Sequence, residues 1–168
     1  MKVNLSEIEQ ALELLEATPL RLASLTKGVD NARMHLKPDE DTWSANEILA
    51  HLRACADVWG KSILVMIAQN HPTLRYISPR TWIRKTDYPQ QEFHLSLEAY
   101  IHQRNELLKS LKALKVEDWS RGATFTGTTR GREHTVLSYA GRIAQHEIEH
   151  CAQMEDLLKE IRSAEQKE

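Results

Sequence analysis

A chain of 168 residues with a formal net charge of −2 and interleaved charges of both signs is long enough for one domain and lacks the basic footprint of a nucleic-acid binder. That length buries roughly two-thirds of the unfolded surface, so neither a disulfide nor a structural metal is required for stability. No stretch approaches the roughly 18 apolar residues of a membrane span and the N-terminus has no signal-type run, so a soluble, cytoplasmic protein is expected. The two cysteines, Cys55 and Cys151, fall inside helical patterns and are expected to be reduced core thiols.

Helical periodicity dominates the chain. Leu5, Ile8, Leu12, Leu15, Leu22 and Leu25 predict a first helix over about 4–27, with a kink or restart at Thr18-Pro19 because proline removes a backbone donor. Residues 28–43 read as a connection with a short helix around 31–36. Ser44 followed by Glu47 is a capping box, and the apolar line through Ile48, Leu52, Trp59, Ile63 and Met66 carries a second helix to about Gln69. Residues 70–90 hold Pro72, Pro79 and Pro89 with Tyr76, Trp82 and Tyr88. That connection is too long for a tight hairpin and suits a crossover along the bundle, its aromatics buried on the bundle flank or else closing a pocket or packing in a dimer interface. A third helix follows over about 91–115, then a glycine-rich loop or short hairpin at 120–132. A fourth helix covers about 134–163. The fold class expected is an all-α four-helix bundle formed by residues 1–168 as one domain.

Three histidines stand out. His146 and His150 are one helical turn apart, and His150 lies seven residues from both Ile143 and Leu157, on the inward stripe. His51, three after Ile48 and four before Cys55, also faces inward. Clustered neutral imidazoles are costly in a core unless something accepts their lone pairs, and a divalent cation does so. Three nitrogen ligands leave a fourth position open, as in catalytic zinc sites. Glu147 follows Ile143 by four and is a weak candidate for a base beside the site, a solvated carboxylate or ion pair being the simpler reading. The remaining histidines, His134 among them, receive no role.

The pattern Trp43-Ser44-x-x-Glu47-Ile48-x-x-His51-Leu52, followed by His146-x-x-x-His150, resembles the DinB/YfiT-like superfamily. Thr18-Pro19, Glu117-Asp118-Trp119 and Thr135-Val136 match the same pattern. The resemblance implies an up-down-down-up four-helix bundle, often homodimeric, with a metal on three histidines that map to His51, His146 and His150. It also implies thiol-dependent transferase or isomerase chemistry in some branches. Other members carry hydrolase or damage-inducible labels, so fold and metal transfer better than reaction.

Arg104 falls on the apolar stripe of the third helix with Leu97, Ile101, Leu108 and Leu111. A buried guanidinium needs a partner: either a core carboxylate, or an anionic thiol or substrate that it would clamp. Three functions compete: transfer of a low-molecular-weight thiol to an electrophilic small molecule, hydrolysis by hydroxide generated at the ion, or a non-enzymatic stress-related binding role. Zinc is the default ion for three imidazoles, with nickel, iron and manganese also compatible.

Overall fold

The computed structural model describes residues 3–127 and 132–165. Four long helices carry the architecture. Helix α1, Leu5–Thr26, starts at Asn4, whose side chain accepts the Ser6 amide. Helix α2 runs from 45 to 68 as an α-helix Ala45–Cys55, a π-helical turn Ala56–Gly60 and an α-helix Lys61–Ala68. Helix α3 is Phe93–Lys112 and helix α4 is Val136–Glu165. Their order is up-down-down-up, with the 69–92 crossover joining α2 to α3. No helix among the described residues is long and apolar enough to cross a membrane.

The restart expected at Thr18-Pro19 does not occur. Helix α1 passes through both residues, which are buried, and the Thr18 hydroxyl donates to the Leu14 carbonyl at 3.1 Å. Burial holds the helix together where propensity alone would break it. The short helix in the first connection is Asn31–Met34, capped by Asp30.

A small sheet closes one end of the bundle. Strand β1 (Thr73–Arg75) pairs in parallel with β2 (Gly122–Thr126), and β2 pairs antiparallel with β3 (Arg132–Thr135). The hairpin expected at 120–132 is therefore present, although 128–131 lie outside the described residues. Strand β1, set in the proline-rich crossover, carries no clear alternation and was not expected. Ala123 and Phe125 turn inward to the bundle, while Thr124 and Thr126 alternate outward. Helix α4 follows β3 directly: the Thr135 amide donates to the Ser138 hydroxyl oxygen at 2.9 Å, and the Ser138 amide to Thr135 Oγ1 at 3.1 Å.

The core divides into two apolar clusters. One gathers Leu15, Cys55, Trp59, Leu107, Ile143 and their neighbours; the other gathers Leu22, Leu52, Tyr100, Cys151, Met154 and theirs. On α1, α3 and α4 the seam between the clusters is occupied by the polar residues Thr18, Arg104 and Glu147, all buried. The histidines lie at this same level.

Candidate metal centre

His51 sits two turns inside α2, whose start is fixed by a complete capping box. Ser44 Oγ accepts the Glu47 amide at 3.2 Å and Glu47 Oε2 accepts the Ser44 amide at 2.8 Å. Glu47 is thus occupied at the helix end, where Lys37 also pairs with it at 2.8 Å. These contacts set the phase of α2 and turn His51 into the bundle, where it is 7% exposed. Helix α4 brings His146 and His150 to the same depth from the facing side.

The Nε2 atom of His146 approaches those of both other rings. His146 Nε2 lies 3.3 Å from His51 Nε2 and 3.2 Å from His150 Nε2. Ring centroids are 5.1 Å apart for His51–His146, 5.0 Å for His51–His150 and 4.4 Å for His146–His150. Nitrogens bound to one tetrahedral zinc at its usual bond lengths stand about 3.3–3.4 Å apart. A single imidazole proton serves one of the two Nε2 contacts well, whereas a cation serves all three lone pairs. His150 is already set for this role. Its Nδ1 donates to Gln153 Oε1 at 2.8 Å, which leaves the lone pair on Nε2. His146 Nδ1, by contrast, is buried without a hydrogen-bond partner among the described residues.

Charge state agrees with this geometry. Burial, with the fields of the neighbouring histidines, pushes His51 down to about 4. Burial and His150 push His146 down to about 4, and burial lowers His150 as well. All three rings are neutral at neutral pH, the state a ligand requires. Two tryptophans wall them in. Trp43 stacks on His150 at 6.1 Å and 8° and meets His51 edge-on at 5.1 Å, while Trp59 stands against His146 at 4.9 Å.

Cys55 offers a competing ligand set. Its Sγ is 3.5 Å from His51 Nε2, and the donor atoms of His51, Cys55 and His146 all lie within 4.8 Å of one another. Burial and then the Glu147 carboxylate push its thiol well above the ordinary range, so it is a neutral, weak donor. Among the described residues the group of His51, Cys55 and His146 is the one whose donor atoms all fall together, and His150, its lone pair presented on Nε2 beside His146, is the imidazole alternative to the Cys55 thiol as third ligand.

His51 and His150 open into a cavity of about 700 Å³ that Trp43, Asp41, Arg80 and Gln153, among others, also bound. Arg80, on the one-turn helix Pro79–Trp82 of the crossover, lies 5.9 Å over the Trp43 ring and meets no carboxylate among the described residues. Nothing in its sequence context marks it. Gln153 was also passed over, although its position three residues after His150 was a usable signal.

Arg104 and Glu147 are brought to each other. Both are 0% exposed, and Arg104 Nη2 pairs with Glu147 Oε1. Arg104 Nη2 also lies 3.5 Å from the Tyr100 hydroxyl. Burial pushes the Glu147 carboxyl up, and the Arg104 guanidinium, which keeps its proton, opposes that shift. Of the two partners considered for Arg104, the structure supplies the core carboxylate, and neither Arg104 nor Glu147 lines the cavity beside the histidines.

Similarity to known proteins agrees with the fold. A family profile described as the DinB superfamily matches residues 14–154. No curated protein matches the chain. Among solved structures, YfiT from Bacillus subtilis, described as a probable metal-dependent hydrolase with an unusual four-helix bundle topology, superposes with a TM-score of 0.81 at 15% identity over 95% of this chain and 90% of its own. A mycothiol-dependent maleylpyruvate isomerase gives 0.68 at 14% identity, over 88% of this chain and 60% of that one. A DinB-like protein from Bacillus subtilis gives 0.60 at 16% identity, covering 92% and 91%. With a bundle of this topology and a profile spanning most of its length, the chain belongs to the DinB superfamily.

Proposed function

We propose that His51, His146 and His150 hold one divalent metal ion and that the chain transfers a low-molecular-weight thiol to a small electrophile. The observation that carries this reading is the approach of His146 Nε2 to His51 Nε2 at 3.3 Å and to His150 Nε2 at 3.2 Å, beside an open cavity. When bound, the ion supplies the positive charge that keeps a thiol sulfur deprotonated near neutral pH. Trp43 and Trp59 shield the ligands from water, Gln153 fixes the His150 tautomer, and Arg80 takes an acidic substituent of the incoming thiol or electrophile. The nucleophile comes from the substrate, since Cys55 is fully buried and held protonated.

The test is conjugation of monochlorobimane with cysteine or mercaptosuccinate, run on protein with measured metal content. Conjugation above the uncatalysed rate that disappears with chelator and in His51→Ala is expected. Equal rates with and without metal would reject the assignment. Arg80→Gln should raise KM for mercaptosuccinate by about tenfold and leave 2-mercaptoethanol unaffected.

Hydrolysis is the second reading, and one observation favours it: Asp41 lines the same cavity and meets no cation among the described residues, so it is free to act as a base. Turnover of ester or amide substrates without added thiol, lost in Asp41→Asn, distinguishes it from transfer.

A further inference from the structure

A second cavity, of about 410 Å³, lies on the other side of the histidine trio along α4. It is built where the hairpin, the crossover and α4 meet, and its lining is of one chemical kind. Arg132 and His134 come from β3, Arg142 and Tyr139 from α4, Phe125 from β2 and Tyr76 from the crossover. Phe125 and Tyr139 stack at 4.9 Å and 22°, and the His134 ring tilts against both, at 5.5 and 5.0 Å. This makes an aromatic wall.

Cationic groups line the same space, with no acid among the lining residues. Arg142 lies 4.8 Å over Trp59 and 5.9 Å from the Tyr139 ring, contacts that hold its planar face, and its N–H groups meet no carboxylate among the described residues. Arg132 likewise meets none among the described residues. The adjacent acid, Glu133, alternates to the opposite face of the strand, where it binds Thr124 and His71. Pairing of Phe125 with Arg132 and of Ala123 with His134 puts these side chains on the sheet face that meets the bundle. Two guanidiniums facing a concave aromatic surface, with no counter-charge among the described residues, form an anion receptor.

We propose that this cavity binds a small aromatic carboxylate, its acid group taken by Arg132 and Arg142 and its ring held by the Phe125–Tyr139–His134 wall. The Tyr139 hydroxyl, pushed up to about 12 by burial, stays protonated and is a further donor. The site uses neither the histidine trio nor a metal, and Trp59 stands between it and His146.

Calorimetric titration of the chelator-treated full chain with benzoate, benzamide and inorganic phosphate tests the proposal. Benzoate should bind at least about tenfold more tightly than neutral benzamide, and more tightly than phosphate. Arg132→Gln and Arg142→Gln should each weaken benzoate about tenfold. Both side chains are exposed, so the variants should keep the wild-type melting temperature. Arg80→Gln should change nothing. As a readout that needs no variant, benzoate should shift the His134 ring resonances and leave those of His51 and His150 in place. Absence of benzoate binding, equal affinity for benzamide, equal affinity for phosphate, or loss of binding in Arg80→Gln would each overturn the assignment. None of these outcomes bears on the metal reading, which is scored with metal-loaded protein in the first cavity.

Discussion

Among the described residues, His150 is the one of the three whose second ring nitrogen has a hydrogen-bond partner, Gln153 at 2.8 Å. Orienting contacts of this kind typically contribute 10–100-fold in metal affinity, so Gln153→Ala should weaken zinc binding by about that factor in competition with a chromogenic chelator. His51→Ala and His146→Ala should each abolish stoichiometric metal, measured by elemental analysis, while circular dichroism stays helical. The depressed histidines also set a pH dependence. His51 and His146 fall from 6.5 to about 4 on folding, so between these values the unfolded chain binds more protons than the folded one. The metal-free protein should therefore keep full stability above about pH 6.5 and lose it progressively toward pH 4, as followed by thermal melts across that window. All three histidines were legible in the sequence, because helical phase alone turned them inward. Trp43 was legible as part of a motif but not as the ring that covers His150. Arg80 was not legible at all, because it reaches the cavity from a proline-rich crossover whose path no periodicity encodes.

At the scale of elements, local chemistry decides the starts and tertiary contacts decide the middles. The Ser44–Glu47 box was readable because both partners lie within one turn. The π-turn Ala56–Gly60 was not, since the apolar line continues through it. Its purpose is visible only in three dimensions. Asp57, inside the turn, accepts from Trp82 Nε1 at 3.0 Å, from the Tyr88 hydroxyl at 2.8 Å and from Gln103 Nε2. One carboxylate thereby ties the crossover to α2 and α3, and the crossover aromatics that suggested burial on the bundle flank are anchored through their polar ends. Arg53 adds a second tie, lying 3.8 Å from the Tyr88 ring centroid. Asp57→Ala should cost about 1–3 kcal/mol in denaturant unfolding, since it strands several donors at once. It should also speed hydrogen exchange in the 79–90 segment, which positions Arg80. π-turns are concentrated at functional sites, and this one lies one turn beyond His51.

For the whole molecule, the polar layer at the seam of the two apolar clusters is the decisive feature. Arg104 Nε and Nη1 and Glu147 Oε2 are buried without hydrogen-bond partners among the described residues, so the pair is incompletely compensated. Removing one partner, as in Arg104→Met, should destabilise the fold by about 3–5 kcal/mol, because a lone carboxylate is left in the core. The double variant Arg104→Met/Glu147→Leu should recover most of that loss in the same denaturation experiment. The sequence showed that Arg104 needed a partner but not which, since Glu147 is distant along the chain and its inward phase was shared with a possible place beside the histidines.

His146 and Glu147 are consecutive residues, and this couples two otherwise separate features. Turning α4 about its axis far enough to swing His146 away, by one residue step of about 100°, would drag Glu147 out of its ion pair. Axial rotation of α4 is thus opposed by a buried ion pair, so an ion taken by these imidazoles would be met without a turn of the helix. Capture should therefore proceed in a single kinetic phase with no slow isomerisation. Ions of similar radius should enter at comparable rates and differ mainly in how quickly they leave.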